Sequence, residues 1–295
     1  MERNKNAINK LVSIKRDYSL SGSSSLASKG VASLYAEPSN INELMDVMEI
    51  AYAKNIRISI LGSGTHTLIS DKQIDGIVIS TRSMKGLTMK GTMLECYPGE
   101  MLESIIDKAI EHQLIGIEKL AGIPGTIAGA LMCNAEANGC EISDYVYYFD
   151  YITFSGHLRR QRVYNDTFSK QKLNMEEDGI ISNVALRLNP SKATAEAKIR
   201  KRMYVELMFI PPCANYVGQV FKDTKSESAG RIIRKLGLCN RKGVAEFSEY
   251  QPNCIFTSPG YQAKDIFNLI TKAEDAAKKE LGITLERSLA LLGVF

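Results

Sequence analysis

The residues best placed to do chemistry in this sequence are small ones. Within residues 116–144 (GIEKLAGIPGTIAGALMCNAEANGCEISD), the run Gly122-Ile123-Pro124-Gly125-Thr126 leads into Ala128-Gly129-Ala130 and Asn134-Ala135, denser in glycine and alanine than any other part of the chain. Such residues fill a core poorly. They let the backbone pass close to a ligand and present N–H groups with no Cβ in the way. Pro124 fixes one dihedral of the turn, and Thr126 adds a hydroxyl. A second glycine turn, Gly62-Ser63-Gly64-Thr65, breaks the β-rich run at 57–61 (RISIL). One such turn is equally a tight loop entering a helix; two in one chain point to a phosphate-bearing cofactor. GSGTHT lacks the third glycine of GxGxxG and no long helical period follows it, which argues against a doubly wound dinucleotide fold.

Other chemistry is sparse. The three histidines, His66, His112 and His157, stand apart from one another, so neither a histidine metal site nor a Ser-His-Asp triad is supported. Cys96, Cys133, Cys140, Cys213, Cys239 and Cys254 form no CxxC pair, and with no signal peptide evident they read as reduced thiols of a cytoplasmic protein. No metal is expected. The run Arg159-Arg160-Gln161-Arg162 reads as a solvated hairpin with the capacity to meet a phosphate.

The elements that must position the two turns follow from periodicity. The run Ser39-Asn40-Ile41-Asn42-Glu43 after Pro38 starts a helix that carries Leu44, Val47, Met48 and Ala51 at helical spacing through Lys54. Residues 101–112 form a second helix on Leu102, Ile105, Ile106 and Ile110, ending before the glycine-rich centre. Strands are expected at 57–61, 77–79, 145–154 and 180–188, where Tyr145, Tyr147, Tyr148 and Tyr151 read as sheet packing. Residues 191–206 look like a solvated helix opening a last domain, with Met203 and Met208 as ordinary packing. Helices at 228–235 and 263–281 and a terminal strand at 285–294 complete that domain. The serine-rich stretch 19–29 (SLSGSSSLASK) reads as a flexible connection to a loosely attached N-terminal segment. Strands and helices alternate without regular βαβ spacing, so the class is α+β.

Composition bounds the rest. A 295-residue chain with 44% apolar and 24% charged residues is an ordinary globular protein of two or three domains. Its net charge of +4 is too small and dispersed to argue for nucleic acid, and no apolar run is long enough to span a membrane.

With both turns placed, the sequence resembles the UDP-N-acetylenolpyruvoylglucosamine reductase (MurB) family from about residue 26 to its end. The resemblance rests on LGSGTHTLISD (61–71), GIEKLAGIPGTIAGALMCNAEANG (116–139), YVGQVFKD (216–223), SAGRIIRKLGL (228–238) and LERSLALLG (285–293), in that order. It implies two FAD-binding subdomains of the vanillyl-alcohol oxidase type, here residues 1–82 and 83–192, and a C-terminal α+β substrate domain at 193–295. The insertion that marks one subclass is not evident, so the shorter subclass is implied. By position, Gly62, Ser63, Gly64, Thr65 and His66 of the first turn, and Gly122, Ile123, Gly125, Thr126, Gly129, Ala130 and Asn134 of the second, are implied to hold FAD. NADPH is the implied reductant, a UDP-sugar the ligand, and the protein a cytoplasmic monomer.

The resemblance also marks departures. The family passes a hydride from NADPH to FAD and on to the enolpyruvyl group, with a GSxF serine as proton donor and a glutamate and an arginine stabilising the intermediate. Here the serine position is Gln219, the glutamate position of LExEV is Ser288, and the arginine falls at about Lys170 by spacing back from Ala185-Leu186. A carboxamide cannot act as an acid near neutral pH, and lysine lacks the planar fork that grips a carboxylate. Glu286 shares a strand face with Ser288 but sits about 6–7 Å away along it. Lys222 and Tyr216 are other candidate donors. In the cofactor turn, Ala128 replaces a family glycine, and Glu136 brings a carboxylate towards an anionic ligand. Three readings stay open: an FAD-binding relative impaired in or lacking the standard turnover, down to a non-catalytic binding protein, a working divergent reductase making UDP-N-acetylmuramate, and a flavoprotein with another electron acceptor.

Overall fold

The computed structural model describes residues 13–26, 28–169, 171–207, 215–239 and 243–295. The expected Lys170, Met208 and Cys213 lie outside them.

The first unit is a four-stranded sheet in the order Lys15–Ser19, Val31–Ala36, Gln73–Ser80, Ile58–Leu61, antiparallel at its first pair and parallel at the other two. Its central strand alternates across the sheet. Ile77 and Ile79 pack with Leu44, Val47 and Met48 of helix α1 (Ile41–Ala53), while Val78 faces Leu20, Tyr35, Leu61 and Ile69. Both faces are therefore buried, as parallel pairing requires. Helix α1 begins where expected: the Asn40 side chain accepts from Glu43 N, and the Glu43 carboxylate accepts from Ser39 N at 2.7 Å. That is a reciprocal cap of two otherwise orphaned donors.

The second unit is an antiparallel sheet ordered Leu158–Arg162, Val146–Thr153, Gly179–Arg187, Met93–Cys96, Leu87–Lys90. Helix α2 (Leu102–Glu111) buries Leu102, Ile105, Ile106, Ala109 and Ile110 against it, and α3 (Ile127–Met132) follows the second glycine turn. Tyr148 and Tyr151 are buried in this sheet, as sheet packing predicts. Arg160 is on its edge strand, bidentate to Asp150 at 2.6 and 2.9 Å and stacked over Tyr148, so its cation is already engaged. Helix α4 (Thr194–Leu207) is mostly exposed as expected, yet it docks on this second unit through Ala197, an Arg200–Glu118 pair at 2.9 Å and a Lys201–Asp107 pair at 2.6 Å. Met203 on α4 is exposed rather than packed.

The third unit carries a three-stranded antiparallel sheet (Asn215–Gly218, Cys254–Thr257, Ala245–Phe247) covered by α5 (Ala229–Lys235) and α6 (Ala263–Leu281). Ile266, Ile270, Ala273 and Ala277 of α6 pack with Phe221, Ile232, Ile233 and Ile255, each buried isoleucine contributing about 1.5–3 kcal/mol. Only Ala290–Leu292 of the expected terminal strand is regular. It leaves this unit and pairs in parallel with Thr67–Ile69, just after the first glycine turn. The mixed architecture is α+β.

Among its described residues the serine-rich stretch is anchored, unlike the flexible connection expected. Leu20 and Ser23 are buried, Leu26 enters the third core, and the Ser25 hydroxyl donates to Tyr216 O. Asp71 holds its neighbourhood together: one carboxylate oxygen accepts from Lys29 N at 2.9 Å and the other from Ala263 N, at the start of α6, at 2.6 Å. Asp71→Ala is expected to lower unfolding stability by about 1–3 kcal/mol, because two backbone donors lose a charged acceptor. Denaturant unfolding checks this; a change within the error of the method would contradict it.

Candidate functional site

The units meet around one cavity of about 500 Å³. The first turn contributes Gly62, Ser63, Gly64, Thr65, His66 and Thr67, and the second contributes Ile123, Pro124, Gly125, Thr126, Gly129 and Ala130. Gln219 and Ser288 come from the third unit, so two of the three expected chemical positions share a cavity with both glycine turns.

The turns interlock. The Thr65 hydroxyl donates to Pro124 O at 3.0 Å, and a Cβ on Gly62 would lie 2.8 Å from Thr126 Oγ1. Gly64, at φ +69°, leaves no room either, since a Cβ there would lie 2.1 Å from the carbonyl oxygen of Ser23. These two glycines thus serve close chain-to-chain contact as well as any ligand. Thr126 caps α3, its hydroxyl accepting from Gly129 N at 3.4 Å.

Two expected binding residues act behind the wall rather than on it. Neither Gly122, at φ +90°, nor Asn134, at φ +44°, lines the cavity. The buried Asn134 amide donates to Glu141 at 2.6 Å and accepts from Ser143 N, holding the chain where α3 ends. Ala128 is also off the wall and packs against the second core, so its Cβ is no obstruction there. Glu136 does line the cavity and is exposed.

His66 is used differently from a cofactor ligand. Its Nδ1 lies 3.0 Å from Gly218 O, and its Nε2 lies 3.0 Å from Ser288 O and 3.1 Å from Ser288 Oγ. Burial pushes its pKa below the ordinary 6.5, against the opposite pull of the two carbonyls. One imidazole so joins the first turn to the strand end before Gln219 and to the C-terminal segment.

Ser288 points inward and Glu286 does not. Ser288 N and Leu289 N both donate to Val220 O, at 2.9 and 3.3 Å, a bulged arrangement that re-aims the chain. The Glu286 carboxylate instead meets Lys222 Nζ at 2.5 Å in a separate surface groove, which removes both as candidate donors in the main cavity. Tyr216 does line it, with burial raising its hydroxyl above the usual range.

Gln219 is held from several sides. Asn253 clamps the backbone just beyond it, accepting from Phe221 N at 2.9 Å and donating to Phe221 O at 2.8 Å. Gln171 Nε2 donates to Gln219 Oε1 at 3.1 Å, leaving Gln171 Oε1 buried on the cavity wall and without a partner among the described residues. A bound ligand carrying an N–H or O–H would satisfy it. Cys133 and Cys254 also line the wall, burial pushing each thiol up to about 11, so both are neutral at physiological pH. Sequence reasoning missed Gln171 and the 251–254 segment; the turn dipeptide Pro252-Asn253 is the sole local signal there. Among the described residues no cluster could hold a metal ion, and no helix is long and apolar enough to cross a membrane.

Comparison with known proteins agrees with this layout. Residues 32–161 match the family model described as an FAD binding domain, and residues 211–292 match that of the UDP-N-acetylenolpyruvoylglucosamine reductase C-terminal domain. The UDP-N-acetylenolpyruvoylglucosamine reductase of Prochlorococcus marinus (strain NATL2A) is 30% identical, with 96% of this chain and 99% of that one aligned. That of Synechococcus sp. (strain JA-3-3Ab) is 29% identical over 90% of this chain and 87% of that one. The crystal structure of the Thermus caldophilus enzyme shares the fold, with a TM-score of 0.79 at 23% identity, covering 96% of this chain and 100% of that one.

Proposed function

The chain belongs to the UDP-N-acetylenolpyruvoylglucosamine reductase family of peptidoglycan precursor synthesis, and from that premise we propose an FAD-binding member that lacks the family's own proton donor. FAD is held between the interlocked turns, where Gly62, Ser63, Gly64 and Thr65 face Ile123, Gly125, Thr126, Gly129 and Ala130 across one cavity. Their backbone N–H groups suit a diphosphate, and Leu102, Ile123 and Ala130 give the same cavity an apolar wall for a flat ring system. When bound, FAD supplies hydride transfer, with NADPH as the reductant and a UDP-sugar enolpyruvyl ether as the acceptor.

The observation that carries the reading is that Gln219 and Ser288 stand on the wall of the same cavity as the two turns. This supports reading Gln219 as the family's acid position, filled by a group that cannot donate a proton near neutral pH. We take the chain as three working parts, 1–82, 83–192 and 193–295, with α4 docked on the middle one, acting as a monomer. Five unpaired cysteines among the described residues fit a reducing, cytoplasmic setting.

Separating the two half-reactions tests this. NADPH should bleach the flavin band without air, and the enolpyruvyl nucleotide-sugar should restore it at least about a hundredfold more slowly than a family enzyme with an intact serine. Reoxidation as fast as in that enzyme would contradict the proposal.

A further inference from the structure

With Gln219 silent, Ser288, Tyr216 and Ser228 bring hydroxyls to the cavity from the third unit, and Ser288 is the one with His66 behind it. Both ring nitrogens of His66 face backbone carbonyl oxygens at 3.0 Å, Gly218 O at Nδ1 and Ser288 O at Nε2. A carbonyl only accepts. The imidazolium can donate to both at once, whereas the neutral ring can donate to one and must turn a lone pair on the other.

The Ser288 hydroxyl resolves that conflict. When His66 is neutral with its proton on Nδ1, Ser288 Oγ–H donates to Nε2, 3.1 Å away, and its hydrogen is held away from the cavity. When His66 is protonated, Nε2–H donates to Ser288 O and Oγ, and the hydroxyl hydrogen is released towards the cavity. The other neutral tautomer, with its proton on Nε2, would set the Nδ1 lone pair against Gly218 O and is disfavoured, so of the two favoured states only the protonated one presents a proton to a ligand.

We propose that Ser288, recharged by His66, is the proton donor for whatever enolpyruvyl reduction this chain performs. The inference rests on the reductase reading above. In the step, the substrate carbon that has become basic takes the proton of Ser288 Oγ–H; the C–H bond forms and the O–H electron pair stays on oxygen. The Ser288 oxygen then takes the Nε2 proton, leaving neutral imidazole, and solvent restores the imidazolium. The electron pair on carbon would come with a hydride, the chemistry that bound FAD would supply. Ser288 touches the substrate; His66 acts through it.

The groups around His66 do not supply the proton themselves. On the C-terminal segment Glu286 is held by Lys222, and Arg287 by Glu274. On the third-unit sheet burial makes Tyr216 and Cys254 hold their protons more tightly than usual. The second glycine turn, 122–126, bears no titratable side chain, and Glu136 and Asp223 are the carboxylates of the cavity. Because burial holds His66 below 6.5, the donor state fills only as pH falls beneath that value.

The test is the reoxidation of reduced, FAD-loaded protein by the enolpyruvyl nucleotide-sugar between pH 5 and 8, for wild type, Ser288→Ala and Ser288→Thr. Ser288→Ala removes one hydroxyl and leaves the backbone bonds of residue 288 in place. Wild type should quicken as pH falls; Ser288→Ala should lose at least about tenfold of the acid rate and flatten the profile, and Ser288→Thr should recover both. A proton resonance titration of the three histidines without any cofactor adds a second readout. In Ser288→Ala the His66 titration should move up, since neutral Nε2 loses its only donor. Equal rates and profiles for wild type and Ser288→Ala, or an unmoved His66 titration, would overturn the pair as donor. A wild type that binds FAD and is never reoxidised by this substrate would instead bring down the reductase reading, and this step with it, even where the His66 titration does move.

Discussion

Replacing Gln219 by serine will raise the rate at which reduced flavin is reoxidised by the enolpyruvyl nucleotide-sugar by about a hundredfold or more. Gln219, the proposed donor position, stands on the wall of the cavity that both glycine turns line. Its backbone is fixed independently of its side chain, by the Asn253 clamp on Phe221 and by the bond from Val220 N to Asn253 O at 2.9 Å. A new side chain therefore inherits the position. The substitution costs the contact with Gln171, which is a neutral hydrogen bond worth about 1 kcal/mol and remote from the core. Gln219→Ala separates the two effects, because it opens the same space without a hydroxyl. If serine proves no faster than alanine, the missing proton donor is not what limits this chain. The gain in serine should also be nearly independent of pH, unlike the acid-favoured rate of the wild type, since it does not pass through His66.

Gly64→Ala should be the most damaging single change in the cofactor cradle. The residue sits at φ +69°, which costs an L side chain about 1–2 kcal/mol. Its new Cβ would lie 2.1 Å from Ser23 O and 2.7 Å from Ser24 Cα, backbone atoms that cannot rotate aside, adding about 1–3 kcal/mol of overpacking. A total near 3 kcal/mol is roughly a hundredfold in the folding equilibrium, and the strain falls on the loop proposed to hold the diphosphate. Gly139→Ala is the matched control. It has φ +67° and nothing within 4 Å of its Cβ, so it carries the left-handed cost alone. Thermal unfolding and retained flavin, measured on both, should show Gly64→Ala losing both and Gly139→Ala losing a few degrees and no flavin. Equal losses would mean that the close approach to Ser23 is not what demands glycine.

Much of the scaffold was legible because it is local. The buried face of α1 is the one that periodicity marks, Leu44, Val47, Met48 and Ala51, and α6 runs over Ala263–Leu281 as its pattern predicts. The two glycine turns announce themselves by composition, and they do share a cavity. What escaped is what distant chain decides. The serine-rich stretch looks like a linker in isolation, yet it is buried because Gly64 and the third core close over it. Val31–Ala36 becomes a sheet strand through a parallel partner some forty residues on, which no local pattern announces. Glu286 and Ser288 lie on one face of an ideal strand, but two N–H groups on one acceptor at Val220 turn them apart. His66 reads as part of a phosphate turn until Gly218 and Ser288, 152 and 222 residues away, are brought to its ring.

The central claim is that the interlocked glycine turns hold FAD. The visible absorption spectrum of the purified protein, before and after incubation with FAD and removal of the excess, tests it most directly. The account predicts a protein-bound flavin band that survives gel filtration in the wild type and is lost in Gly64→Ala. A wild-type protein that stays colourless after reconstitution, while folded by circular dichroism, would contradict it.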